Sequence, residues 1–453
     1  MKYLSALSAS CTLLVALAVP AAAQAPLSLR DALARADSVA YPNRVARAQV
    51  ARAGADHDAT LAGVLPSARL EAGYTRSTDP LVAFGFLLRQ RGVTTASFDP
   101  DLLNNPAARG DVQTGFAAEV PLVNLDAWSA RSATSRAAEA EMARADWTRS
   151  GVQLRVTEAW AGAVVAQERV YMLEAAHGAA GSHVRQAERL ANQGMVTRSD
   201  VLLASVRQGE LEAQLEAARG EREIALRHLA LAIGTPEDTT LRVPDSLPTL
   251  AVARAGTSPA SVRSDVQAAH LAREAADAGA ERAGRALLPR LNGFGRYDWH
   301  DANTPFGGKG MWTAGVQLSW SPFTSAREVA ARGAAQADAA AARDAAELAE
   351  ATAALELAQA RIRAQVAERS LVIAERAVSQ GVEAHRIVGR KYEGGLVTIS
   401  DLLDAAALET STRLGLARAR YGVLVTRGVL LRAGGLDLAA LAEAIESEGR
   451  TTP

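Results

Sequence analysis

Residues Gly194–Leu202 read GMVTRSDVL, and residues Gly395–Leu403 read GLVTISDLL. From Gly194 to Gly395 is an offset of 201 positions, and at it Gly, Val, Thr, Ser, Asp and Leu all recur. The same offset carries Pro121 onto Pro322 and Gly234 onto Gly435, so the whole intervening span is duplicated. Each copy reads as the tip of a helical hairpin. Gly194 or Gly395 lets the chain turn at positive φ. Ser199 or Ser400 is expected as the N-cap of the next helix, with Asp200 or Asp401 facing its positive end. A single copy would be one hairpin among many; two at a fixed offset make an architectural unit.

Long helices flank each tip. Asp126 to about Leu190 is helical by pattern, with Val156, Trp160 and Val164 forming an i, i+4 row. About 65 residues at 1.5 Å each span roughly 100 Å. The return helix, Ser199 to Ile233, is about half as long and stops at Gly234-Thr235-Pro236. In the second copy Ala326 to Tyr392 and Ser400 to Ala433 play the same parts. The missing half of each return is supplied by the helix that opens the repeat: Leu27 to Val64, capped by Ser28 and broken near Pro42, and Ser261 to Leu288.

Between opening and long helix the period changes from 3.6 to two. Strands are expected at about 66–76 and 111–122, and again at about 289–300 and 311–323. Trp312, Ala314, Val316, Leu318 and Trp320 alternate against Thr313, Gly315, Gln317 and Ser319. The segment 77–110 is long for a loop and holds an apolar patch, Phe84 to Leu88. That patch reads equally as a strand continuation, a short surface helix or a binding element.

The expected organisation is a signal segment at 1–23, a first repeat at 24–234, a linker at 235–256, a second repeat at 257–435 and a polar tail at 436–453. Lys2, the apolar run Leu13 to Val19 and Ala21-Ala22-Ala23 carry the signal reading. The only cysteine, Cys11, falls inside it, so packing rather than disulfides must hold the mature chain. No later apolar run is long enough for a transmembrane helix. A net charge of −1 gives no electrostatic footprint for nucleic acid. Hydrophobic residues reach 49% but aromatics only 4%, as expected of long helices packed closely through alanine.

Four strands cannot close a barrel alone, and open edges are not tolerated in lipid. Tyr74, Tyr297, Trp299, Trp312 and Trp320 sit near the ends of the apolar faces, where an interfacial aromatic girdle would lie. A soluble sheet packed on the helices by the same face is the competing reading. The signal segment, the missing transmembrane helix and the long proline-free helices favour a barrel completed by several protomers.

The duplicated layout, the opening LSLRDALARA with Tyr41-Pro42-Asn43, the Leu-Pro junctions at Pro66 and Pro289, and the two tips together resemble the TolC-like outer-membrane efflux proteins. The resemblance covers essentially the whole mature chain. It implies a mixed α+β membrane protein: a homotrimer with four strands per subunit in a twelve-stranded barrel, above a periplasmic tunnel of coiled-coil helical hairpins. It further implies a passive duct for a tripartite efflux or type I secretion system, served by an inner-membrane pump and a periplasmic adaptor. The adaptor would dock at Gly194, Met195, Val196, Gly395, Leu396 and Val397. The gate would fall on Asp401 and Asp404, assisted by Tyr392. Where some relatives carry an arginine in the second turn this chain has Val397, and Arg198 and Asp200 of the first tip are the substitutes considered. Asp404, replaced by Leu203 in the other copy, is the stronger gate candidate.

No HExxH, GxSxG, P-loop or GxGxxG motif occurs, so neither an enzyme nor a cofactor is expected. His177 and His183 are six apart and lie on different helix faces, which does not make a metal-ligand pair. The alternative to a duct is a periplasmic helical scaffold that never enters the membrane. The transported substrate is not written in the sequence.

Overall fold

The computed structural model describes residues 26–238, 240–248, 263–321 and 326–449. The expected signal segment, the linker residues 249–256 and the last residues of the fourth expected strand, Pro322 and Phe323, lie outside the described residues.

The chain opens with α1 (Leu29–Val39), whose N-cap Ser28 accepts a hydrogen bond from the Asp31 amide at 3.1 Å. The chain bends at Ala40 and restarts as α2 (Tyr41–Ala59), with Pro42 in the first turn where no amide hydrogen is required. Strands β1 (Ser67–Ser77) and β2 (Arg109–Val123) follow, separated by two short helices, α3 (Pro80–Arg89) and α4 (Pro100–Asn104). Of the three readings of the apolar patch, the helix is therefore the one observed. Asp79 caps α3 through the amides of Leu81 and Val82, and Ala83, Phe86 and Leu87 are buried.

Helix α5 (Leu125–Asn192) runs unbroken for 68 residues, about 100 Å. Its return, α6 (Arg198–Ala232), has 35. The second repeat gives α7 (Ser264–Arg285), β3 (Arg290–Asp301), β4 (Met311–Ser319), the 67-residue α8 (Arg327–Glu393) and the 35-residue α9 (Ile399–Ala433). The length mismatch resolves as expected. The half of α5 near the strands is flanked by α2 and α7, through His57 to Thr134 at 3.1 Å and Arg136 to Glu274 at 3.1 Å. The half near the tip is flanked by α6, through Arg219 to Glu174 at 3.0 Å. Along α8 the buried positions Ala339, Ala346, Ala360 and Ala364 are all alanine, which lets neighbouring helices approach closely.

The largest core lies midway along the helices. Leu29 and Leu33 of α1, Val156, Trp160 and Val164 of α5, and Val423 and Leu424 of α9 meet there. Each such side chain withdrawn from water contributes about 1.5–3 kcal/mol. The buried Trp160 indole donates to the Leu27 carbonyl at 2.8 Å. Two stretches depart from expectation here. The linker places Val243 and Leu247 in this core. The segment read as a polar tail instead forms α10 (Ala439–Gly449), because Leu438, Leu441 and Ala442 form a small apolar stripe that packs inward.

The four strands make one antiparallel sheet in the order β1-β2-β3-β4, so β1 and β4 are its edges. The register puts Leu70, Phe116, Tyr297 and Trp312 in line across all four strands. Tyr74, Val120, Val316 and Leu318 share their face, and this face is bare: Trp312 is 75% exposed and Val316 64%. No helix among the described residues covers it, so the sheet does not pack on those helices by this face. The opposite face is polar. There Glu119 accepts from Asn292 at 2.7 Å, Arg296 pairs with Asp298 at 2.7 Å, and the buried Asp111 and His300 meet at 2.7 Å. Gln90, at the end of α3, donates to Asp111 at 2.9 Å and holds the loop helix to this polar side.

Candidate functional site: the paired tips

Both tips close alike. Gly194 and Gly395 have φ of +73° and +69°, a region in which side-chain-bearing residues are strained. The Met195 amide donates to the Leu190 carbonyl and the Leu396 amide to the Lys391 carbonyl, each at 2.9 Å, satisfying the last carbonyls of α5 and α8. The next helices are capped two residues earlier than expected. Thr197 and Thr398, not Ser199 and Ser400, are the N-caps. Each threonine hydroxyl accepts from the amide of Asp200 or Asp401, and each aspartate accepts in return from the threonine amide at 2.8 Å. This reciprocal capping box was present in the sequence as Thr-x-x-Asp, a clearer signal than the serine.

The tips pack against each other. Tyr392 of α8, Ile399, Leu402 and Leu403 of α9 and Ala204 of α6 are buried together, with Leu190 and Val397 partly buried beside them. Tyr392 is thus a core residue of this junction, and its hydroxyl has no hydrogen-bond partner among the described residues. Burial, and then the Asp200 charge across the junction, push its phenol above the usual range. Asp401 is exposed, and the Thr398 hydroxyl and amide hold its carboxyl below the usual range. Asp404, one turn on, is exposed and has no hydrogen bond or ion pair among the described residues. Arg198 is likewise exposed and, among those residues, unpaired, so it does not reach Asp200 as a lock within this chain. Met195 and Leu396 stand at the turn apices, 63% and 77% exposed, with Val196 and Val397 half-buried behind them.

Tyr74, Tyr297 and Trp312 lie on the bare face of the sheet. Trp299 is partly covered, between Tyr297 at 4.6 Å and Phe306 at 5.6 Å between ring centroids. Trp320 follows β4, and its indole donates to the Leu287 carbonyl at 3.1 Å. Trp312 and Trp320 are eight residues apart in nearly extended chain, roughly 26 Å along the strand direction. No helix among the described residues is long and apolar enough to cross a membrane.

The chain matches the outer membrane efflux protein family over residues 29–235 and 260–435, one segment per repeat. No curated protein matches it in sequence. Among solved structures it is similar to a membrane protein from Pseudomonas aeruginosa, at 20% identity and a TM-score of 0.77, covering 92% of this chain and 98% of that one. It is also similar to the outer membrane protein VceC of Vibrio cholerae, at 18% identity and a TM-score of 0.76, covering 90% and 96%. The CmeC outer membrane channel of Campylobacter jejuni aligns at 16% identity with a TM-score of 0.74, covering 93% and 89%. With the bare sheet, the duplicated hairpins and a family match over most of its length, the chain belongs to the outer membrane efflux protein family, as an outer-membrane channel with a large periplasmic portion.

Proposed function

We propose that three copies of the chain assemble into a passive export duct that serves an inner-membrane pump through a periplasmic adaptor, in a tripartite efflux or type I secretion system. The observation that carries this reading is the sheet: an apolar face open to its surroundings, with edges β1 and β4 each paired on one side only among the described residues. Such edges are stable in lipid only when another chain closes them. A second feature agrees. Leu348, Leu355, Ile362, Val366 and Ile373 form an exposed stripe along α8 at spacings of seven, seven, four and seven, the repeat of a coiled-coil seam awaiting a partner helix. Export would draw its energy from the pump.

In the trimer the Asp401 and Asp404 carboxylates would form two rings at the periplasmic entrance, and the apices at Gly194–Val196 and Gly395–Val397 would meet the adaptor. Carboxylates converging on one axis favour cations while ionised. The test is paired. Val316→Lys, on the bare face, should disrupt assembly by about 2–4 kcal/mol, whereas Gln317→Lys on the polar face should be tolerated. Equal tolerance in a heat-modifiability assay of the outer-membrane fraction would sink the barrel. In planar bilayers, Asp401→Ala with Asp404→Ala should lower cation selectivity; an unchanged reversal potential would move the constriction elsewhere.

A further inference from the structure

Some ten residues above the tips, His183 of α5 and His385 of α8 meet edge to face, with ring centroids 5.8 Å apart at 72°. They belong to different repeats, so neither the spacing of His177 and His183 nor the 201-residue offset reveals the pair. Nδ1 of His385 lies 2.5 Å from Oε2 of Glu409 on α9, and Oε1 of Glu409 is bound by Arg413 at 2.6 Å. Nε2 of His183 is buried without a hydrogen-bond partner among the described residues. A cavity of about 250 Å³ adjoins the pair and brings Arg207 of α6 to the same place.

We propose that His183 and His385 form a proton-sensitive seam between the two hairpins, closed while the His183 imidazole is neutral and loosened when it takes up a proton. The charges around it set the sign. Facing the pair are the guanidiniums of Arg207 and Arg413 and one carboxylate, Glu409, already engaged by His385 and Arg413. Arg207 is itself paired with Glu210 at 2.6 Å, and Arg185 on the outer side of α5 bonds Ser182. Among the described residues no unengaged carboxylate lines the cavity to accept a proton-bearing His183. Burial, and then His385, hold the His183 imidazole below its ordinary value. A histidine held low in the closed state contributes full stability above its ordinary value, near pH 6.5, and loses it as pH falls below that. One proton per subunit can shift the closed–open balance by at most about tenfold per pH unit below that point. The entrance would thus ease open when the periplasm acidifies.

The seam concerns the resting chain, and only its effect on transport rests on the duct reading. Purified full-length protein would carry spin labels at Met195→Cys and Leu396→Cys, with labelled chains diluted into unlabelled ones so that distances within a subunit are read. Between about pH 7.5 and about pH 5.5 the labels should shift toward longer separations, by up to about tenfold in open fraction. His183→Gln should abolish the shift, His385→Gln should reduce it, and His183→Lys should open the seam already at about pH 7.5. Circular dichroism of each variant confirms its fold. A wild-type distance that ignores pH, or a His183→Gln protein that moves like the wild type, would overturn the proposal, as would a His385→Gln protein with an undiminished response. Conductance of the same samples separates the two readings: protein that moves with pH but forms no channel keeps the seam and removes the duct.

Discussion

The two tips share a backbone and differ in what they show to their surroundings. Turn glycine, threonine cap and returning aspartate are the same in both. On the second tip Ile399, Leu402 and Leu403 turn inward and are buried, leaving Asp401 and Asp404 outside. At the matching positions of the first tip, Arg198 and Leu202 are exposed and Val201 is only half-buried; Leu202 is 56% exposed where Leu403 is 6%. Duplication thus kept the groups that stop and start helices and released the faces between them. One tip offers carboxylates, the other an apolar surface formed by Met195, Leu202, Leu203 and Val206.

That contrast is sharpest in the core between the tips. Leu402→Ala should cost about 2–5 kcal/mol of stability, whereas Val201→Ala, half-exposed at the equivalent place, should cost much less; chemical denaturation of the two variants compares them. Equal losses would mean that the two tips are packed alike. The turns should show no such asymmetry. Gly194→Val and Gly395→Val each force a β-branched residue to positive φ at a cost of about 1–2 kcal/mol, since nothing crowds either Cβ position and backbone strain acts alone. A large difference between them in thermal unfolding would reveal an unequal contact at one apex. The caps come next: Thr197→Ala and Thr398→Ala should each weaken their helix start by about 1 kcal/mol, read from amide exchange in the first turns of α6 and α9.

The smallest effect is a titration. Thr398 holds the Asp401 carboxyl low, so this half of the cap is intact above about pH 4 and is lost as pH falls through the lowered value. Thr398→Ala should move that loss to higher pH, toward the ordinary carboxylate range, in an NMR titration of Asp401. An unmoved midpoint would mean that the threonine does not set it.

Much of this was legible in the chain because it is written locally. Strand parity survived into the register, so Tyr297 and Trp312 face each other as alternation requires. Proline and glycine marked the ends of α6 and the start of α2. What sequence reading missed depends on distant residues. Leu438 and Leu441 looked like part of a solvated tail because the core that receives them is built from α1, α5 and α9. The burial of Tyr392 and the meeting of His183 with His385 arise where one repeat packs on the other, and no period within a single helix encodes that contact. The short helix α3 was ambiguous for a different reason: ten residues rich in Leu and Phe satisfy either period until Asp79 is seen to cap them.

The unequal helix lengths also have a mechanical consequence. Each long helix is a continuous mast, but its companions are spliced at mid-height, where α6 ends and Gly234 lies against the carbonyl of Val39 at the α1–α2 bend. An alanine there would bring its Cβ within 2.8 Å of that oxygen, so the splice is tight. A pull applied at the tips is therefore carried past the splice by the unbroken α5 and α8, while the joint between their companions is held by the core around Trp160 and the α10 stripe.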